Sequence, residues 1–257
     1  MLRLANGLWR SVLASDRFNR VRERALYGGE RRRARLMRAL VAHDKSLQYR
    51  QWRLSGEMPH FYDHRVGSLL FAAGGGSGLG MYRGYLAAQV MQPGDVVLDI
   101  GCGDGFFAHR FFASRVAHVD SIDIERSAID HAQRHHAAPN IAYHLLDAVA
   151  DPFPRSRYDV VVWDGALGHF APEVTREVLA KIGGVLSECG LFVGSETLGQ
   201  EGHDHLQFFS DLEALRTVLG AEFRVVRLTQ MRYDARHEAY WRCALGPSQR
   251  LEFADWR

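Results

Sequence analysis

Three glycines at alternate positions, Gly101, Gly103 and Gly105, follow a carboxylate, Asp99, in the stretch VVLDIGCGDGFF (96–107). Glycines spaced this way after an apolar run let a ligand approach the backbone. Such a turn can serve a dinucleotide, a nucleoside triphosphate, or a ligand with neither group. The dinucleotide fingerprint fails because Phe106 stands where its third glycine belongs. The triphosphate loop fails because no Gly-Lys-Ser/Thr follows. Asp99, placed before the turn, repels a pyrophosphate and attracts a ligand that carries an amine.

Other residues with usable chemistry follow in order. Asp123 in SIDIERS lies 22 residues after Gly101, and Asp147 sits in HLLDAVAD. YDVVVWDGALGHF carries Asp164 and His169, and EGHDHLQFF brings His203 and His205. Over roughly residues 90–245 this series resembles the class I S-adenosylmethionine-dependent methyltransferases. VVLDIGCGDGFF is similar to their first motif, and the WDGALGHF segment to the motif beside the transferred methyl group. The resemblance implies that Asp99, Gly101, Cys102, Gly103 and Gly105 cradle S-adenosylmethionine. It places Asp123, with Ile124, at the ribose, where a carboxylate accepts two hydroxyl protons. Asp147 and Ala148 fall at the adenine amino group, and Asp164 next to the methyl.

Methyl transfer from a sulfonium is an in-line displacement. The protein aligns the acceptor, excludes water and removes a proton when the acceptor is a hydroxyl. His169, just past the fourth strand, is the expected base, with His205 as a second catalytic histidine; the competing reading makes His169 a helix cap or a packing contact. His203 and His205 beside Glu196 and Asp164 raise the question of a metal. SETLG lacks the acid–amide pair of the metal-assisted members of this fold, so no metal is expected. Upstream, HFYDHR and MYRGY offer Tyr62, His64, Arg65, Tyr82 and Arg83. Tyr62, His64, Arg65, Arg83 and His203 are the expected substrate contacts, unless they belong to a surface loop. An arginine there also suits the methionine carboxylate.

The elements that must hold these residues alternate. Apolar runs at 96–100, 119–124, 141–146, 159–163 and 190–195 are separated by helical patterns near 105–114, 127–136 and 172–188. This predicts an α/β fold, a doubly wound, Rossmann-like, seven-stranded and mostly parallel sheet. HLQFFSDLEALRTVLG (205–220) adds a helix, and runs at 223–229 and 239–245 pair antiparallel at one edge. Ahead of the sheet, apolar stripes predict a helix to Leu26 and a second from Glu30 to about Arg53. Residues 55–84 hold too many glycines for a regular element. The expected organisation is a basic helical extension (1–54), a lid or connecting segment (55–89) and the methyltransferase domain (90–257).

Residues 1–56 carry 14 Arg and Lys against 4 Asp and Glu, or +10, which leaves −8 on the rest of the chain. Three dispersed cysteines argue against a disulfide framework or a zinc site. No apolar run approaches the length of a membrane span, and the start lacks a signal-peptide core. A cytoplasmic enzyme is expected, peripheral to the inner membrane surface if the basic helices contact lipid. The arm has three open readings: packing on its own domain or in a homodimer, contact with an anionic membrane surface, or docking of nucleic acid. Nucleic acid is the least favoured, because WDGA replaces the motif that presents a base amine. The expected activity is methylation of a small molecule or sugar on oxygen. The alternatives are an RNA methyltransferase docked through the arm and a catalytically silent binding subunit.

Overall fold

The structure, a computed structural model, describes residues 15–51, 79–199, 205–233 and 236–252. They fall into two units, an N-terminal helical one and a sheet domain. In the first, α1 (Asp16–Tyr27) starts where the Ser15 side chain accepts from the Phe18 amide at 3.4 Å. It ends at Gly28, whose left-handed φ of 60° turns the chain into α2 (Glu30–Gln51). Phe18, Val21, Leu36 and Leu40 are exposed on these helices, among exposed arginines.

In the sheet domain, α3 (Leu79–Ala88) precedes β1 (Val96–Ile100), β2 (His118–Asp123), α4 (Arg126–His135), β3 (Ile141–Leu145) and β4 (Tyr158–Asp164). Then come α5 (Pro172–Val185), β5 (Leu186–Leu198), α6 (Leu212–Gly220), β6 (Val225–Tyr233) and β7 (Arg236–Ala244). The sheet order is β3-β2-β1-β4-β5-β7-β6. The strands β1 to β5 pair in parallel, and β7 inserts antiparallel between β5 and β6. Strand alternation builds a core on each face. Leu98, Ile100, Trp163, Phe192 and Trp241 pack on one side, and Val97, Val119, Val160, Val162 and Leu191 on the other.

Three local expectations are corrected. Glycine content argued against a regular element through residue 84, yet Leu79–Ala88 is helical. Gly84 is a packing position: a Cβ there would lie 2.6 Å from the Phe111 ring and 2.9 Å from that of Phe107. The close approach outweighs glycine's modest helical penalty, about 1 kcal/mol. The helix expected near 105–114 becomes a short π-helical turn, Ala108–Phe112. The helix expected over 205–220 begins only at Leu212, because the Asp211 side chain caps it by accepting from the Glu213 and Ala214 amides. Residues 205–209 run along the rim instead, and Phe209 bridges Leu198.

Candidate active site

Where β1 ends, the chain turns through Gly101, Gly103 and Gly105, all with positive φ (68°, 53° and 74°). The Gly101 and Cys102 amides both donate to the Ile122 carbonyl, at 2.9 and 3.0 Å, which pins the turn to β2. Gly105 serves packing, since a Cβ would meet the Tyr143 hydroxyl at 2.6 Å. Gly101 is exposed, and the nearest atom to a Cβ built there is Ala166 Cβ, at 3.8 Å. The glycine turn therefore faces the loop that follows β4. Cys102 is buried, and burial pushes its thiol up.

Asp123 closes β2 and ties itself to the turn. Its Oδ2 accepts from the Gly103 amide at 2.8 Å, and its Oδ1 from the Glu125 amide at 2.9 Å. Each oxygen keeps a second lone pair for a ligand. Burial raises its pKa. Asp99, also buried, is pushed up to about 8 by burial and the nearby Asp164 carboxyl, with partial relief from the Ser121 hydroxyl. Burial pushes Asp164 up to about 6 against the pull of the Arg83 guanidinium and of the neighbouring Ser195 hydroxyl. Asp164 Oδ2 is buried with no hydrogen-bond partner.

Beyond β4 the chain passes Gly165 into a single 3-10 turn, Leu167–His169. The buried Glu196 anchors it: its Oε2 accepts from the Gly168 amide and its Oε1 from the Thr197 amide, each at 2.9 Å. His205 lies against Gly168, where a Cβ would sit 2.6 Å from its Nδ1. The Leu206 amide fixes this arrangement by donating to the Gly168 carbonyl at 2.8 Å. The His169 and His205 rings thus meet edge to face, with centres 4.6 Å apart. Among the described residues, no group of three or more His, Cys, Asp and Glu is arranged to hold a metal ion.

Arg83, from α3, packs against Gly165 and pairs with the fully buried Glu238 of β7. The neighbouring Tyr82 ring meets Tyr240 edge-on at 5.9 Å. Asp147 caps its own turn, with Oδ1 accepting from the Val149 amide at 2.8 Å, while the Ala148 carbonyl accepts from Lys181 Nζ at 2.9 Å. Tyr62, His64, Arg65 and His203 lie outside the described residues. Sequence reasoning missed Ser195, Glu238 and Tyr240. For Glu238 and Tyr240 the signal was available in RHEAYWRCA, where Glu238, Tyr240 and Arg242 alternate with other residues and so share one strand face.

The sequence profile described as "Methyltransferase domain" matches residues 97–190, the stretch from the glycine turn into β5. Residues 97–190 form a class I S-adenosylmethionine-dependent methyltransferase domain. An uncharacterised methyltransferase of Mycobacterium tuberculosis is 35% identical over 109 residues, 42% of this chain and 54% of that protein. The malonyl-[acyl-carrier protein] O-methyltransferase of Serratia marcescens is 31% identical over 153 residues, 55% of this chain and 58% of that protein. The chain thus spans a little over half the length of these curated relatives. The fold matches that of DhpI in its complex with SAH (TM-score 0.54, 15% identity, 80% of this chain and 97% of that one). It also matches that of a SAM-dependent methyltransferase from Leishmania major (TM-score 0.57, 16% identity, 77% and 82%).

S-adenosylmethionine is the cofactor of this domain, and the residues present suit it. The Asp164 and Asp123 carboxyls both disfavour charge on the buried Asp99, and a ligand with a sulfonium and an ammonium would relieve that repulsion. Gly101 leaves backbone open to such a ligand. Ile124, 64% exposed immediately after Asp123, offers an apolar platform for a planar base.

Proposed function

We propose that the chain methylates a hydroxyl oxygen of a small molecule or sugar in the cytoplasm, with His169 as general base. Asp99, Asp123 and the Gly101–Gly105 turn hold the cofactor, Asp147 and Ala148 border its adenine, and Asp164 lies beside the reacting carbon. S-adenosylmethionine supplies a methyl group bonded to a positively charged sulfur. His169 would take the hydroxyl proton on an imidazole nitrogen as the acceptor oxygen received that methyl group.

The observation that carries this reading is the His169–His205 contact on the loop facing Gly101. An imidazole nitrogen can accept a proton, and the edge-to-face contact with His205 holds the His169 ring in place on this loop. The Serratia marcescens relative, by its name an O-methyltransferase, supports oxygen as the acceptor atom.

The test is labelled methyl transfer into a small-molecule extract, paired with calorimetry of S-adenosylhomocysteine binding. His169→Ala lowers turnover by about 10²–10⁴-fold and leaves the binding constant within about twofold. Turnover close to wild type removes His169 as the base.

A further inference from the structure

The helices α1 and α2 present apolar side chains outward, between arginines. Phe18 and Val21 on α1 are 36% and 61% exposed, and Leu36 and Leu40 on α2 are each 54% exposed. A helix turns about 100° per residue, so Phe18, Val21 and Ala25 fall within about 60° on one face of α1. Exposed Arg17 borders that face on one side and exposed Arg22 on the other. On α2, Leu36 and Leu40 lie about 40° apart, between the exposed Arg32 and Arg33. Ala34 and Met37, half-buried, are on a different face of α2. The Leu36–Leu40 stripe is therefore not the side packed against protein.

We infer that α1 and α2 form a peripheral membrane anchor, lying in the headgroup plane of an anionic lipid bilayer. The inference does not depend on the methyl-transfer reading above; it concerns where the domain is held.

Charge and apolarity together select this partner. Residues 16–51 carry 11 Arg and Lys against 4 Asp and Glu, or +7, which favours an anionic surface. That surface must also take up apolar side chains, and a bilayer with anionic headgroups does both. The stripes enter the boundary between headgroups and acyl chains, while the flanking guanidiniums reach the lipid phosphates. A nucleic acid satisfies the arginines alone, because Val21, Leu36 and Leu40 cannot stack on bases. A second copy of the arm satisfies the stripes alone, because a two-fold contact sets arginine rows against each other. No described helix is long and apolar enough to cross a membrane, so these two lie on its surface.

The experiment sediments the full chain with vesicles of phosphatidylcholine alone, and with vesicles of equal parts phosphatidylcholine and phosphatidylglycerol. Wild type should bind the mixed vesicles, less so as salt is raised, and stay in the supernatant with phosphatidylcholine alone. Leu36→Gln combined with Leu40→Gln keeps every charge and should weaken mixed-vesicle binding about tenfold. Arg22→Gln combined with Arg32→Gln and Arg33→Gln should weaken it about a hundredfold. Leu40→Trp should tighten it, which a loss of folding cannot do. Equal binding to both vesicles overturns the inference, as does wild-type affinity in the leucine double variant. Failure to bind the mixed vesicles overturns it too. Retention of RNA by such a chain, unaffected by the leucine changes, then assigns the arm to nucleic acid. A doubled mass that is lost on those changes assigns the stripes to a second copy.

Discussion

Two buried carboxylates on the same sheet have opposite surroundings. Asp120, in the middle of β2, has both oxygens fully engaged. Oδ1 accepts from His118 and His144 at 2.9 and 3.1 Å, and Oδ2 from Arg155 and the Tyr158 hydroxyl at 2.7 and 3.1 Å. Burial opposes its charge, but these hydrogen bonds win and hold its carboxyl below the ordinary value. Asp164, at the far end of β4, has one oxygen with no partner and a carboxyl pushed up to about 6. Both are strand acids in apolar surroundings, and sequence alone does not separate them. The difference lies in what the fold supplies. Asp120 has four partners within the chain that favour its charge, whereas the pull of Arg83 and of the Ser195 hydroxyl does not offset the burial of Asp164.

That contrast can be broken at three points. Asp120→Ala should have the largest effect, leaving Tyr158 and the two histidines without their acceptor and lowering unfolding stability by about 3 kcal/mol. Urea denaturation reads the loss, while S-adenosylhomocysteine affinity stays at the wild-type value. A weakened affinity would merge the two regions. Next comes Asp123→Ala, which frees the Gly103 amide and removes the acid expected at the ribose. Calorimetry should show about a hundredfold weaker S-adenosylhomocysteine binding, about 2.7 kcal/mol. Unchanged affinity would end that assignment.

The smallest effect is a sign difference with pH. A carboxyl with a raised folded pKa keeps its proton longer in the folded chain, so between about 4 and about 8 stability falls as pH rises. Asp99 does this in the ligand-free protein, by at most about 1.4 kcal/mol per pH unit. Urea midpoints at pH 7 and 8 should converge in Asp99→Asn. Asp120, with its lowered value, has the opposite slope: its contribution is complete above about pH 4 and is lost as pH falls below that. An Asp99→Asn chain with the wild-type slope would mean that Asp99 is not the acid responsible.

The glycine turn and Asp123 were legible because consecutive residues and a short spacing carry their geometry. The strand sequence was legible for the same reason, to within a few residues at each end. Gly84 was misread because counting glycines registers backbone freedom and not the Phe111 ring that the missing side chain admits. The start of α6 was misread because HLQFF has helix-like apolar spacing, while its real partners, Gly168 and Leu198, are distant in sequence. The placing of Asp164 beside Ser195, and of Ser195 beside Tyr240, was invisible for a stronger reason. It exists only through the registers of β4 with β5 and of β5 with β7, and no single segment records them.

The position of β7 has a consequence for how the protein comes into being. Because β7 lies inside β6 in the sheet, the chain must lay down β6 and turn back before β5 gains its neighbour. A ribosome that has delivered residue 164 has already supplied the glycine turn and Asp99, Asp123 and Asp147. Glu238 and Tyr240 emerge more than seventy residues later. The residues expected at the cofactor and the strand that completes the sheet thus leave the ribosome at well separated times.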